Sequence, residues 1–96
     1  MQVLALVRRR TESFSDEQFA PMLEPEAQAV RTLYTQGLVR TIWSREDVLG
    51  AVLVLEVDSM DHARAVVARL PLVERGMAEV EKIIGLRGYR GFGPRN

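Results

Sequence analysis

An arginine and a glutamate in the two strands of a predicted hairpin are the residues whose types and spacing could do chemistry. If the hairpin centres on Val48, Arg40 falls directly opposite Glu56 on one sheet face. Arg40 could then bind a carboxylate or enolate while Glu56 moves a proton, so both are candidate catalytic residues. The alternative is a cross-strand salt bridge that fixes the register of the hairpin or lines a contact between subunits.

Trp43 and Tyr34 are candidates for ligand binding. Trp43 should lie with Val39 on the sheet face opposite Arg40, where its indole could form the floor of a pocket between sheet and helices. Tyr34 could donate a hydrogen bond to a ligand from the helix that precedes this strand. The alternative for each is an amphipathic side chain that contributes to the core.

His62 is the single histidine and falls in the first turn of a predicted helix. It could contact a ligand, hold a haem or act as a general base, and the alternative is a surface position. No second ligand of matching type accompanies it and the chain has no cysteine, so we expect no metal site. The sequence also shows no phosphate-binding loop and no nucleophile–base pair, and we expect no cofactor.

The charge balance and the apolar segments limit the kinds of partner. Thirteen basic and thirteen acidic residues cancel, and the run 8–10 of three arginines has no aromatic residue within it. Nucleic acid requires a basic face, so we expect no nucleic-acid partner. The apolar opening is too short for a signal peptide, and no stretch reaches the ~18 apolar residues that span a bilayer. We therefore expect a cytoplasmic protein with no membrane partner.

The elements that must position these side chains follow the order βαββαβ in a single domain over residues 1–96. A capping box at Ser15 and Gln18 starts a helical turn, Pro25 should restart the helix, and Gly37 should end it. Asp47 should pair with Arg45 in the hairpin loop. Strands are predicted over 3–7, 38–44, 50–57 and 78–84, the second helix follows an N-cap at 58–59, and 86–96 form a glycine-rich C-terminal tail.

This order predicts an α+β, ferredoxin-like fold with a four-stranded antiparallel sheet and two helices on one face. Right-handed crossovers place the first and third strands in the centre and leave the other face bare. The third strand is nevertheless apolar on both sides, since Leu53 and Leu55 alternate with Val52 and Val54. A strand with one solvated face should alternate with polar residues, so we expect a second copy of the chain to cover the bare face.

The sequence resembles the muconolactone isomerase-like family of the dimeric α/β-barrel superfamily. The resemblance lies in Gly37-Leu38-Val39-Arg40, Ile42-Trp43, Arg45-Glu46-Asp47, Gly50-Ala51-Val52-Leu53, Leu55-Glu56, Leu70-Pro71-Leu72 and the ending Ile84 to Phe92. It implies two ferredoxin-like subunits whose sheets face each other to form a barrel. The isomerases carry a Gly-His-Tyr-Ala-Asn run where this chain has residues 47–51, Asp-Val-Leu-Gly-Ala, so the chain resembles a functionally uncharacterised branch and inherits no catalytic residue.

These observations favour a homodimer, or a higher homo-oligomer, that binds a small organic acid or ketone. It could be a cofactor-free isomerase or lyase that acts by proton transfer. One alternative is a non-catalytic dimerisation or accessory module. The other is a cofactor-independent monooxygenase, because the superfamily that the sequence resembles also contains such enzymes. Whether the chain is an enzyme stays open at this point, and neither the ligand nor the role of the tail follows from the sequence.

Overall fold

A computed structural model of the chain describes residues 1–93, which contain four β-strands and four α-helices. Pro94, which the sequence places in the tail, lies outside the described residues. The elements are β1 (Gln2–Arg9), α1 (Asp16–Phe19), α2 (Leu23–Thr35), β2 (Val39–Ser44), β3 (Gly50–Glu56), α3 (Met60–Ala68), α4 (Pro71–Glu74) and β4 (Ala78–Leu86), with short 3-10 helices at Ala20–Met22 and Arg90–Phe92.

The predicted start of the first helical segment is confirmed, but the restart at Pro25 is wrong. The Gln18 amide donates to Ser15 Oγ at 3.3 Å, and the Ser15 amide donates to Gln18 Oε1 at 2.8 Å, which completes the capping box. The second helical segment begins at Leu23, two residues before Pro25. A proline fits in this first turn because the first amides of a helix have no intrahelical acceptor.

The predicted end of α2 and start of α3 are also confirmed. Gly37 follows α2 with a φ of 81°, in the left-handed region that favours glycine. Ser59 Oγ accepts a hydrogen bond from the His62 amide at 3.0 Å and caps α3. The apolar stripe of this segment is buried against the sheet, through Ala63, Val66, Val67 and Leu70.

The sheet order β2-β3-β1-β4 is that of a ferredoxin-like fold, and the central positions of β1 and β3 were predicted. All neighbouring strands are antiparallel. At one end of the central pair Gly50 lies opposite Arg8, and a Cβ at Gly50 would lie 2.1 Å from the carbonyl oxygen of Val7. Glycine is therefore needed for this close approach of β3 to β1.

The core lies between the helices and one face of the sheet. Val3, Ala5, Leu53 and Leu55 of the central strands are at most 1% exposed and pack with the apolar side of α3. The other face carries a second set of apolar side chains. We call it the open face and define it by Leu4, Leu6, Trp43, Val52, Val54 and Ile84, which the strand pairing places on the side away from the helices.

The hairpin of β2 and β3 does not centre on Val48. Ile42 pairs with Leu53 and Trp43 with Val52, and the register shifts again between Val39 and Thr41. This irregularity is a β-bulge at Arg40, which inserts one extra residue into β2. A shift of one residue moves a side chain to the other face of a sheet, so the face predicted for Trp43 is wrong.

The short helix α4 was not predicted from the sequence. Leu70 has an extended backbone at its N-cap position and Pro71 takes the first helical position, where a proline is favoured. Gly76, with a φ of 72°, turns the chain into β4. Leu72 is buried within α4, and its backbone amide points to a side chain of α2. This contact connects α4 to the candidate site.

Candidate functional site

Arg40 lies at the bulge in β2, on the edge of the sheet beside α2. It lines a shallow surface pocket together with Tyr34 and Val39, so the structure brings two of the predicted site residues together. Both Arg40 and Tyr34 are exposed. A bulge commonly re-aims a side chain, and here it directs Arg40 to this edge and away from the partner predicted for it on β3.

Glu56 pairs with the N-terminus of the chain and not with Arg40. Its carboxylate lies 2.8 Å from the amino group of Met1, and the same amino group donates to the carbonyl oxygen of Val57 at 2.6 Å. The predicted ion pair between Arg40 and Glu56 is wrong, because the bulge takes Arg40 out of register. A catalytic role for either residue stays a prediction.

Trp43 projects from the open face, where it pairs with Val52 across the strands and is 64% exposed. Because the register is shifted, Trp43 does not form the floor of a pocket between the sheet and the helices. Its neighbours in sequence, Ile42 and Ser44, point to the helical side instead and line the cleft there. Ligand binding by Trp43 stays a prediction, at a different surface from the one expected.

His62 belongs to a local cap at the start of α3. Its Nδ1 accepts a hydrogen bond from the Asp58 amide at 3.2 Å. The imidazole lines a groove between α2 and α3 together with Arg69 and Gln36, apart from Arg40 and Trp43. Its predicted contact with a ligand is untested, and the hydrogen bond gives the side chain a structural role.

An apolar cleft with a few polar groups lies between α2 and the sheet. We call it the α2 cleft. Its polar side chains are those of Arg9, Glu26, Arg31 and Ser44. Its apolar wall is formed by Val7, Ala27, Val30, Ile42, Ala51 and Leu72. Its volume is about 420 Å³. Cavities that hold small molecules have volumes of ~300–1,000 Å³ with a few polar groups on apolar walls, and this cleft has both properties.

Glu26 of α2 is half-buried in the wall of the cleft. One carboxylate oxygen, Oε1, accepts a hydrogen bond from the Leu72 amide at 2.9 Å, which satisfies a free amide in the first turn of α4. Burial raises the pKa of the Glu26 carboxyl, although the Leu72 hydrogen bond and the charge of Arg9 oppose the change. Glu26 therefore holds its proton to higher pH than an exposed glutamate does.

Among residues 1–93, Arg9 is the arginine of the cleft that has no acidic partner. Its guanidinium carbon lies 5.6 Å from the centre of the Phe19 ring, and within residues 1–93 it forms no salt bridge. Arg31, the other arginine of the cleft, is already bonded to Glu24 and Gln28 of its own helix. In the part of the chain that the structure describes, the cleft thus combines the unpaired guanidinium of Arg9 with the nearby Glu26 carboxyl, whose pKa is raised.

Sequence reasoning missed Arg9 and Glu26. The two residues lie on different elements, at the end of β1 and in the first turn of α2, and no motif connects them. In the sequence Arg9 is one of three consecutive arginines, and Glu26 follows Pro25 as a typical acidic residue of a helix start. The half-burial of Glu26 depends on α4, which the sequence pattern did not predict.

A second polar cluster crosses the end of the open face. Arg45 binds both carboxylate oxygens of Asp47 at 2.9 and 2.6 Å, which confirms the predicted turn pair. The same guanidinium reaches the Val7 carbonyl oxygen at 3.4 Å and the carboxylate of Glu81 in β4. The Arg45 side chain is only 10% exposed, and its hydrogen bonds lower the pKa of Asp47 to about 2. This cluster ties the hairpin loop to the far strand.

Residues 1–93 show neither a cluster of metal ligands nor a helix that could span a membrane. They contain no group of three or more potential metal ligands. None of the helices among them is both long and apolar enough to cross a membrane.

Comparison with known proteins gives a family. The family model described as YCII-related domain matches residues 1–87, which cover β1 to β4. YCII-related domains are members of the dimeric α/β-barrel superfamily, so the superfamily indicated by the sequence resemblance is confirmed. No curated protein matches the chain.

The raised pKa of Glu26 predicts a pH dependence of stability. The folded state binds the Glu26 proton more tightly than the unfolded state, so its stabilising contribution is complete below the ordinary pKa of 4.5 and is lost as the pH rises through the raised pKa. Glu26→Gln keeps an oxygen acceptor for the Leu72 amide but does not titrate. In chemical denaturation, the free energy of unfolding of the wild type should fall relative to this variant across that window.

The control for this prediction is Ala65→Gln, which adds a side chain that does not titrate to an exposed position of α3. The difference in the free energy of unfolding between this variant and the wild type should not change across the same pH window. Parallel pH profiles for the wild type and Glu26→Gln would contradict the raised pKa.

Proposed function

Because the chain belongs to the family of YCII-related domains, within the dimeric α/β-barrel superfamily, we propose that it is a homodimer that binds a small organic acid or ketone in the α2 cleft. Family membership supports the fold and the manner of assembly. The ligand class is supported by the chemistry of the cleft. The single observation that carries it is the combination, on the walls of one apolar cleft, of an arginine without an acidic partner in residues 1–93 and a half-buried glutamate with a raised pKa.

Arg9 selects the ligand in this proposal. A guanidinium with no acidic partner in residues 1–93, held against the Phe19 ring, presents donors that match the two oxygens of a carboxylate. The apolar wall formed by Val7, Val30 and Ile42 would take the hydrocarbon part of the ligand. A small molecule with one acidic or carbonyl group and a compact apolar body fits both features.

Glu26 supplies the proton-transfer step if the protein is an isomerase or lyase. A carboxyl with a raised pKa is a stronger general base than an exposed glutamate, and it keeps the proton needed for general acid catalysis to higher pH. Its carboxylate would take a proton from the carbon next to the ligand's carbonyl group, Arg9 would stabilise the enolate oxygen, and the proton would return to a different carbon. In this isomerase step atoms and charge balance without a cofactor. In a lyase step the enolate would expel a leaving group from the neighbouring carbon, and the proton on Glu26 would pass to that group.

The assembly in this proposal is a pair of subunits with their open faces in contact. The face exposes large apolar side chains, among them Trp43 at 64% and Ile84 at 43%. Leu4, Leu6 and Val54 surround them and are only partly buried by their own chain. Removal of this surface from water is favourable by about 25 cal/mol per Å² of apolar area. A second copy offers a surface of the same shape and character.

Ligand binding is tested with benzoate as the probe, followed through backbone amide shifts in ¹⁵N–¹H spectra. Benzoate should shift the amides of residues that line the α2 cleft, such as Ala27 and Ser44. Arg9→Gln should weaken the binding at least tenfold, because a charged hydrogen bond contributes ~1.5–3 kcal/mol. Benzamide, which has the same shape without the charge, should bind the wild type more weakly than benzoate does.

The matched control is Arg75→Gln, which removes an exposed arginine after α4 and outside the cleft. This variant should bind benzoate as the wild type does. Shifts that are absent from the cleft, or that are unchanged by Arg9→Gln, would contradict the proposed site.

The assembly is tested with Val54→Glu, which puts a charge at the centre of the open face on β3. An unpaired charge buried between two subunits costs several kcal/mol, so sedimentation at micromolar concentration should show a monomer in place of the dimer. Ala65→Glu adds the same charge to an exposed position of α3 and should leave the dimer intact. A monomeric wild type, or a Val54→Glu variant that still forms the dimer, would refute the assembly.

A further inference from the structure

The α2 cleft continues into the shallow pocket at Arg40. Three side chains, those of Val30, Arg31 and Ile42, line both cavities. Val30 and Arg31 belong to α2, and Ile42 faces that helix from β2. The pocket at Arg40 has a volume of about 410 Å³, close to that of the α2 cleft. The two cavities therefore form one elongated space between α2 and β2, which we call the α2 groove.

An arginine lines each end of the α2 groove. Arg9 lines the cleft end and Arg40 the pocket end, and neither side chain has an acidic partner within residues 1–93. Tyr34 lines the groove beside Arg40, and its hydroxyl is a further hydrogen-bond donor there. Arg31 lies where the two cavities meet, but it is already bonded to Glu24 of its own helix. Each end of the groove thus has a guanidinium that can bind an acidic group.

The strand pairing gives the separation of the two arginines. The Arg9 amide donates to the Leu49 carbonyl oxygen at 2.8 Å, so Arg9 is level with that residue of the central hairpin. Arg40 lies at the bulge, where β2 pairs with residues 54–55 of β3. About five to six residues of extended chain separate the two levels, which is about 19 Å at ~3.4 Å per residue. Both side chains line the groove between these levels, so a ligand that contacts both is shorter than this backbone distance but still elongated.

The charges of the groove favour a ligand with two negative groups. Within the described chain its lining includes three arginines and one acidic residue, Glu26, which already accepts a hydrogen bond from the Leu72 amide. A ligand with a single carboxylate at Arg9 would leave the guanidinium of Arg40 unused. Guanidinium groups bind carboxylates through two parallel hydrogen bonds, and the apolar side chains of Val30 and Ile42 suit a hydrocarbon chain between the two ends.

We propose that the ligand of the α2 groove is an elongated dicarboxylic acid, with its reacting end at Arg9 and Glu26 and its second carboxylate at Arg40. This inference rests on the proposed function and specifies the class of acid that the protein binds. It also gives the irregularity in β2 a role, because the bulge places Arg40 at the edge of the sheet beside α2. Specificity then comes from the distance between the two arginines.

The test compares two ligands of equal chain length in the wild type and in Arg40→Gln. Sebacate has a carboxylate at each end of its chain, whereas decanoate has one carboxylate and a methyl group. Dissociation constants are measured from backbone amide shifts in ¹⁵N–¹H spectra. Arg40→Gln should raise the constant for sebacate about fivefold more than the constant for decanoate, because only sebacate has a second carboxylate. This factor is modest because water screens an ion pair at an exposed arginine.

The matched control is Arg75→Gln, which removes an exposed arginine that does not line the groove. The ratio of the sebacate and decanoate constants should be the same in this variant as in the wild type. Arg40 is exposed and its side chain makes no hydrogen bond within residues 1–93, so Arg40→Gln should fold normally. The amide spectrum of each variant without ligand checks that the fold is intact.

The outcomes separate this inference from the proposed function. If Arg40→Gln leaves the ratio of the two constants unchanged while Arg9→Gln weakens both ligands, the dicarboxylic acid is wrong and the proposed binding site stands. An equal change of the ratio in Arg75→Gln also overturns the dicarboxylic acid, because the effect would then not belong to Arg40. If Arg9→Gln weakens neither ligand, the proposed site and the dicarboxylic acid are both wrong.

Discussion

A four-stranded sheet with all its helices on one side must leave the other side to water or to another molecule. In this chain that second side carries Leu4, Leu6, Val52 and Val54 on the two central strands, with Trp43 and Ile84 on the strands at the edges. Water is a poor solvent for such a surface. The need to cover this surface connects the strand pattern with the family match and with the proposed assembly, in which stability would depend on the protein concentration.

In our proposal the two faces of the sheet have different functions. The open face serves assembly, and the Arg45 cluster at its end fixes the hairpin loop against Glu81. The helical face carries the core and, where α2 separates from β2, the α2 cleft. Ligand binding is thus proposed on the side that remains accessible after the open faces meet. A dimer of this kind would hold two separate clefts, each built from one chain.

Much of the fold was predictable because it follows from local patterns. The run of apolar residues in β1, the cap at Ser15 and the stripe of α3 each act over a few residues, and right-handed crossovers then determine the strand order. The register of the β2–β3 hairpin could not be predicted. The alternation of residue types in the sequence is equally compatible with a regular hairpin centred on Val48 and with a hairpin that has a bulge at Arg40. That one extra residue separates Arg40 from Glu56 and moves Trp43 to the open face.

The candidate site was less predictable than the fold, since its chemistry depends on tertiary contacts. Glu26 reads as an ordinary exposed residue until α4 places the Leu72 amide against it and removes it partly from water. Arg9 reads as part of a solvated run until Phe19 packs beneath its guanidinium. Arg40 and Glu56 have the residue types that proton transfer requires, but the structure does not bring the two side chains together, because Glu56 pairs with the Met1 amino group and the bulge displaces Arg40.

Trp43, the single tryptophan, reports directly on the central claim that a second copy covers the open face. Its fluorescence emission should be measured over a dilution series beside the mass from light scattering. We expect Trp43 to emit at short wavelength in the dimer, where the indole is buried. The emission should shift to longer wavelength as dilution converts the dimer to monomer. Emission typical of an indole in water, together with a monomeric mass at every concentration, would contradict it.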